Sequence, residues 1–143
     1  MFYLIEPEIA GGLGDHTEID TEVRPPAVKS LEYRLEGWLG DELLESFPCF
    51  IVTESLAKRI RDSKLSGFSL APITVTTSPE FEELYTKISL PDFLWLKIEG
   101  QAEVDDFGLT PDFRLVASQR AMDTLSEAKI NHADIEEYRK TEY

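Results

Sequence analysis

The segment from Phe50 to Phe68, FIVTESLAKRIRDSKLSGF, constrains the fold more than any other part of this chain. It opens on Phe50-Ile51-Val52, an apolar run rich in β-branched residues, which predicts a strand. Thr53 follows in N-cap position, where its hydroxyl can accept a free amide of the next turn. Leu56, Ala57 and Ile60 then recur at helical spacing, and Gly67 suits a reversal with positive φ. The same grammar returns between Arg114 and Ala133, RLVASQRAMDTLSEAKINHA: Leu115-Val116 matches Ile51-Val52, and Ser118 takes the capping role. Two such units, 50–68 and 114–133, predict a fold with two similar halves. Ile51-Val52 and Leu115-Val116 are expected on buried strands of one sheet. The helices that follow should bury Leu56, Ala57 and Ile60 in one unit and Ala121, Met122 and Leu125 in the other. Short matches of this kind also arise by chance, because strand-cap-helix is a common arrangement.

The rest of the chain fits around these units. Phe2 to Ile5 reads as a short strand ended by Pro7. Glu8 to Pro26 is polar and broken by Gly11-Gly12, Gly14 and Pro25-Pro26, and a connection of that length is expected to be functional or mobile. Its Gly11-Gly12-Leu13-Gly14 lacks the Lys-Ser/Thr ending of a phosphate loop. Leu31, Tyr33 and Leu35 alternate with Glu32 and Arg34, as in a half-buried strand. Gly37-Trp38-Leu39-Gly40 reads as a turn, and Asp41 as the cap of a short helix through Leu44 and Glu45. Leu70 to Val75 reads as a strand that Pro72 places at a sheet edge or at a strand start. Ser78-Pro79-Glu80 opens a helix that runs through Tyr85. Phe93 to Glu99 is the clearest strand, with Leu94, Leu96 and Ile98 on one face. Gly100 to Asp112 is an acidic connection, and a charged tail starts at Glu136. The class is α+β (or α/β): one domain of 143 residues, with both units packed on a mixed sheet.

Charge narrows the partners. Twenty-eight acidic against fourteen basic side chains give a net charge of −14. Such a surface repels phosphate backbones and anionic membranes, and it attracts a basic protein. Solubility is the simpler purpose of the same charge. The acids are unevenly placed. None of the bases precedes Arg24, and nine acids face only Lys87 and Lys97 between Glu80 and Asp112. The first unit's helix is the exception, with Lys58, Arg59, Arg61 and Lys64. A single cysteine, Cys49, excludes an internal disulfide and suits a reducing compartment. The N-terminus has neither the basic start nor the apolar core of a signal peptide, and no apolar run reaches the ~20 residues of a membrane span. A cytoplasmic location is the expectation.

A search for chemistry finds little. Cys49 stands between Pro48 and an apolar strand, where a free cysteine is ordinarily core. His16 and His132 are the only imidazoles. Asp15, His16, Glu18 and Asp20 lack the glycine and terminal glutamate of an EF-hand, and His132-Ala133-Asp134 matches no zinc motif. Both histidines read as solvated loop residues. Trp38 and Trp95 read as core, with an interface as the alternative. There is no nucleotide loop and no Ser-centred elbow. The expectation is a protein without catalytic residues, cofactor or metal, and not an enzyme.

Several pieces together carry a resemblance. They are the N-terminal strand with its proline, Gly37-Trp38-Leu39-Gly40-Asp41, Pro48-Cys49-Phe50-Ile51-Val52-Thr53-Glu54-Ser55-Leu56, and Leu115-Val116-Ala117-Ser118-Gln119-Arg120-Ala121. In these the chain resembles small cytosolic immunity proteins encoded beside bacterial polymorphic toxins, chiefly over 30–70 and 113–135. Ser55 stands where that group's motif has a basic residue. The resemblance implies binding and neutralising a cognate toxin, with no catalytic residues. An acidic surface occluding a basic toxin cleft is the expected mode, and Asp15, Glu18, Asp20, Glu22, Glu103, Asp105 and Asp106, on segments read as exposed, are its candidate contacts. Two alternatives stand beside it: a small hydrolase or transferase in which His16 or His132 converges with carboxylates, and an acidic adaptor or scaffold.

Overall fold

A computed structural model describes residues 1–23, 26–86 and 88–139. Arg24, Pro25 and Lys87, used above as charge and breaker markers, lie outside those residues, as does the end of the charged tail. The class is α+β, with four sheets and three helices among the described residues. The middle sheet is antiparallel, in the order β6 (Leu43–Ser46), β7 (Cys49–Thr53), β10 (Phe93–Ile98), β8 (Phe68–Ala71). A second antiparallel sheet runs β11 (Phe107–Leu109), β12 (Leu115–Ser118), β1 (Phe2–Glu6), β13 (Asp134–Glu137). The third is mixed, with β5 (Glu32–Leu35) antiparallel to β2 (Gly11–Leu13) and parallel to β9 (Thr74–Thr77). A hairpin of β3 (Glu18–Asp20) and β4 (Ala27–Ser30) completes the set.

Period-two alternation makes the middle sheet serve two cores. On β7, Phe50 and Val52 join Leu43, Leu96 and Ile5 in one cluster; Cys49 and Ile51 join Tyr33, Leu35, Phe93 and Trp95 in the other. Every residue of β7 is buried. The first cluster lies against α1 (Glu54–Asp62) and α3 (Gln119–Leu125), the second against α2 (Pro79–Leu84) and the mixed sheet. Burial pushes the Cys49 thiol up to about 12, consistent with a core cysteine.

The two strand-cap-helix units form with the expected caps. Thr53 Oγ1 accepts from Leu56 N at 3.2 Å, and Ser118 Oγ from Ala121 N at 3.0 Å. Leu56, Ala57, Ile60, Ala121 and Leu125 are buried; Met122 is half-buried, and Thr124 takes the extra core position. They do not share a sheet. Strand β7 is flanked by β6 and β10, and β12 by β11 and β1, so neither has a free edge for the other. The units meet through their helices instead. Arg120 in the first turn of α3 donates to the carbonyls of Ser63 and Lys64 at 2.8 and 2.6 Å, closing the C-terminal end of α1. Gly67 (φ 91°) then turns the chain where a Cβ would strike the Phe107 carbonyl.

Four other expectations are corrected. Asp41 caps no helix: Leu43 and Leu44 face opposite cores, so the segment is the strand β6. Leu70 to Val75 is two strands, because Pro72 ends β8 in one sheet before β9 starts in another. The polar stretch from Glu8 is partly strand, in β2 and β3. Residues 134–137 are no loose tail either, since β13 pairs with β1.

Candidate functional site

A cleft of about 640 Å³ opens where the end of β1 leaves the second sheet, walled by the 37–41 turn, β6 and the start of β13. Three local decisions shape it. Pro7 ends β1 and sends Glu8 into the interior, 6% exposed, where its carboxylate caps the turn: Oε2 accepts from Leu39 N at 2.7 Å and Oε1 from Asp41 N at 3.2 Å. Asp41, 1% exposed, holds the chain before β13: Oδ2 accepts from His132 N at 2.8 Å, and His132 Nδ1 lies 2.9 Å from Oδ1. Glu42 adds a second tie, accepting from Lys129 N at 2.8 Å and Thr53 Oγ1 at 2.9 Å. Donor atoms of Glu8, Asp41 and His132 all lie within 4.8 Å of one another.

The cleft is acidic at its centre. Glu6 on β1 stands directly opposite Asp134 on β13, a like-charge cross-strand pair. Glu45 reaches in from β6. Burial first, and the nearby Glu6 second, push its carboxyl up to about 7. Among the described residues Arg114 is the one lysine or arginine lining the wall, and it is already engaged, with Asp112 at 3.0 Å and Glu6 at 3.6 Å. Those two carboxylates, Asp112 foremost, hold its guanidinium above the ordinary range. Ile9 and Leu39, 73% and 64% exposed, rim the opening.

Both histidines are exposed residues of turns, as the sequence suggests, and each also contacts a buried carboxylate. His16 donates its backbone amide to Glu32 Oε1 at 2.8 Å and sets Nδ1 2.9 Å from the same oxygen; Thr76 Oγ1 donates to Oε2 at 2.7 Å. The Thr76 hydroxyl, then the His16 amide, hold Glu32 below the usual carboxylate range. A Cβ at Gly14 would overlap that carboxylate, so the turn needs glycine there.

The candidate contacts named from sequence divide. Asp15, Glu18, Asp20, Glu22 and Glu103 are exposed. Asp105 and Asp106 are half-buried and hold their own loop: Asp105 accepts from Gln101 N at 2.8 Å, and Asp106 from Ser66 N at 2.9 Å and Ser118 Oγ at 2.6 Å. Burial raises the Asp106 carboxyl, but Ser118, Ser66 and Arg120 outweigh it and leave it low. The expectation of exposure therefore fails at Asp105 and Asp106. Glu8, Asp41 and Glu45 were missed as site residues. Glu8 and Glu45 have no motif around them, Asp41 reads as a helix cap, and Asp41 meets His132 across 91 positions. No protein-family model, curated protein or solved structure matches this chain.

The described helices include none long and apolar enough to cross a membrane.

Proposed function

We propose that this chain is an inhibitory binding protein of the immunity type, and that its acidic cleft takes a basic side chain of the toxin it neutralises. One observation carries the reading: Glu45 lies in a cleft where Glu6 faces Asp134 and the lining guanidinium is already paired. A lysine or arginine entering there relieves like-charge repulsion and supplies the missing counter-charge. Exposed Ile9 and Leu39 give the apolar contacts that hold a complex once formed. The −14 net charge and the exposed Asp15, Glu18, Asp20 and Glu22 speed the encounter. Blocking a basic active-site cleft is the mode this favours. The experiment uses the protein encoded beside this gene as partner. Glu45→Lys with Leu39→Asp should weaken binding by at least roughly 30-fold. Neutralising Asp15, Glu18 and Asp20 together should slow association and flatten its salt dependence. Unchanged affinity in the cleft variant overturns the assignment.

A second reading rests on a different feature. The Asp41–His132 contact orients an imidazole at a cleft that also holds a carboxyl titrating near neutrality, as general acid–base catalysis requires. Among the described residues lining the cleft there is no serine, threonine or cysteine, so the nucleophile would be water. A hydrolysis screen in which any turnover survives His132→Ala disposes of it.

A further inference from the structure

We propose that Glu8, Asp41 and His132 form a binding site for a divalent first-row transition ion of the zinc class. The donor set is mixed, two carboxylates and one imidazole, which suits zinc and its neighbours better than calcium or magnesium. The donors already converge. His132 Nδ1 and Asp41 Oδ1 are 2.9 Å apart, a hydrogen-bond contact that an ion would replace by opening the pair to the roughly 3.4 Å between tetrahedral ligands with bonds of ~2.0–2.2 Å. All three donors fall within 4.8 Å, so a shift on the scale of a side-chain torsion completes the set.

Two features distinguish this cluster from ordinary surface acids. Both carboxylates are more than nine-tenths buried, and among the described residues no lysine or arginine pairs with either. Two buried charges beside one imidazole leave negative charge uncompensated, and a divalent ion supplies it. Main-chain amides also fix both carboxylates, Leu39 and Asp41 holding Glu8, and His132 holding Asp41, as outer-shell bonds do at metal sites. Each carboxylate keeps lone pairs beyond those bonds. His132, 42% exposed, stands on the open side, leaving room for water or a partner's side chain to complete the coordination.

The site does not depend on the toxin-binding reading, and its test needs no partner. The full chain, stripped with chelator and dialysed, is titrated with zinc sulfate and followed by calorimetry, thermal unfolding and histidine NMR. One ion per chain should bind, raise the Tm, and move the ring signals of His132 while leaving those of His16. Cobalt(II) should give a visible spectrum that zinc abolishes. His132→Ala should weaken binding by ~10–100-fold, whereas His16→Ala should not change it. Glu8→Gln is the second variant, and its fold is checked by the unchanged Ala10-to-Tyr33 region of the amide spectrum. Zinc binding that is equal in parent and His132→Ala, or that moves His16 as much as His132, is adventitious and overturns the proposal. So does no uptake at all.

Discussion

Two histidine–carboxylate contacts of nearly the same length do different work in this molecule. At His16, the backbone amide and Nδ1 converge on one oxygen of Glu32, and Thr76 occupies the other. That carboxylate accepts from a backbone amide, a ring nitrogen and a hydroxyl, and its imidazole, 89% exposed, closes a local turn. At His132, the amide and ring take separate oxygens of Asp41, a second buried carboxylate lies alongside, and the bond joins residues 91 apart. The contact itself therefore says little. What surrounds the carboxylate decides: a hydroxyl and a turn amide make a turn lock, while a second buried acid makes a place that draws in a cation.

The largest effect should separate the two at the level of stability. Asp41→Ala strips both bonds from His132, which anchors the chain before β13, and it should cost about 3 kcal/mol in urea unfolding. Hydrogen exchange should then speed up along 134–137, because that strand keeps its pairing with β1 but loses the anchor at His132 just before it. Glu32→Ala should cost less, with faster exchange confined to His16 and Thr17. Equal losses, or intact protection of β13 in Asp41→Ala, would erase the distinction.

Next comes Glu45, which shares the acidic cleft and has no counterpart at His16. Its folded-state carboxyl is raised to about 7 from an ordinary 4.5, so the folded protein binds the proton more tightly than the unfolded chain. Stability from that group is full below about pH 4.5 and disappears as the pH rises through about 7. Glu45→Gln should thus be more stable than the parent at pH 8, by on the order of 1–2 kcal/mol after solvent screening, with the gain shrinking towards pH 4.5. A gain that is the same at both pH values would show that Glu45 is not desolvated.

These differences also mark what could be read from the chain beforehand. The strand-cap-helix units, the Ser78 cap and the alternation of Phe93–Ile98 were legible because their causes lie within a few residues: a hydroxyl three places before an amide, or apolar side chains at period two or 3.6. The separation of the units into two sheets was not legible, since it depends on which edges β6, β10, β11 and β1 occupy. The cleft was less legible still. Glu8, Asp41 and Glu45 look like any acid of a chain carrying twenty-eight, and only their burial by distant segments sets them apart. His16 and Glu32 lay sixteen positions apart, and the alternating pattern assigned Glu32 to solvent. It is buried because a threonine and a turn amide satisfy its oxygens.

The smallest effect is the most pointed. His16→Ala and His132→Ala each remove one ring contact and keep the backbone amide that bonds the same carboxylate. Without metal, both changes should be minor, within about 0.5–1 kcal/mol, because each ring is largely or partly in water and the backbone amide still bonds the buried carboxylate. His132→Ala should be the larger, since among the described residues no lysine or arginine pairs with the buried Asp41 and Glu8 carboxylates. Added zinc should widen that gap, raising the Tm of the parent and of His16→Ala but not of His132→Ala. If zinc leaves the three proteins in the same order and spacing, the two contacts differ only in position, and the second carboxylate has no cation to hold.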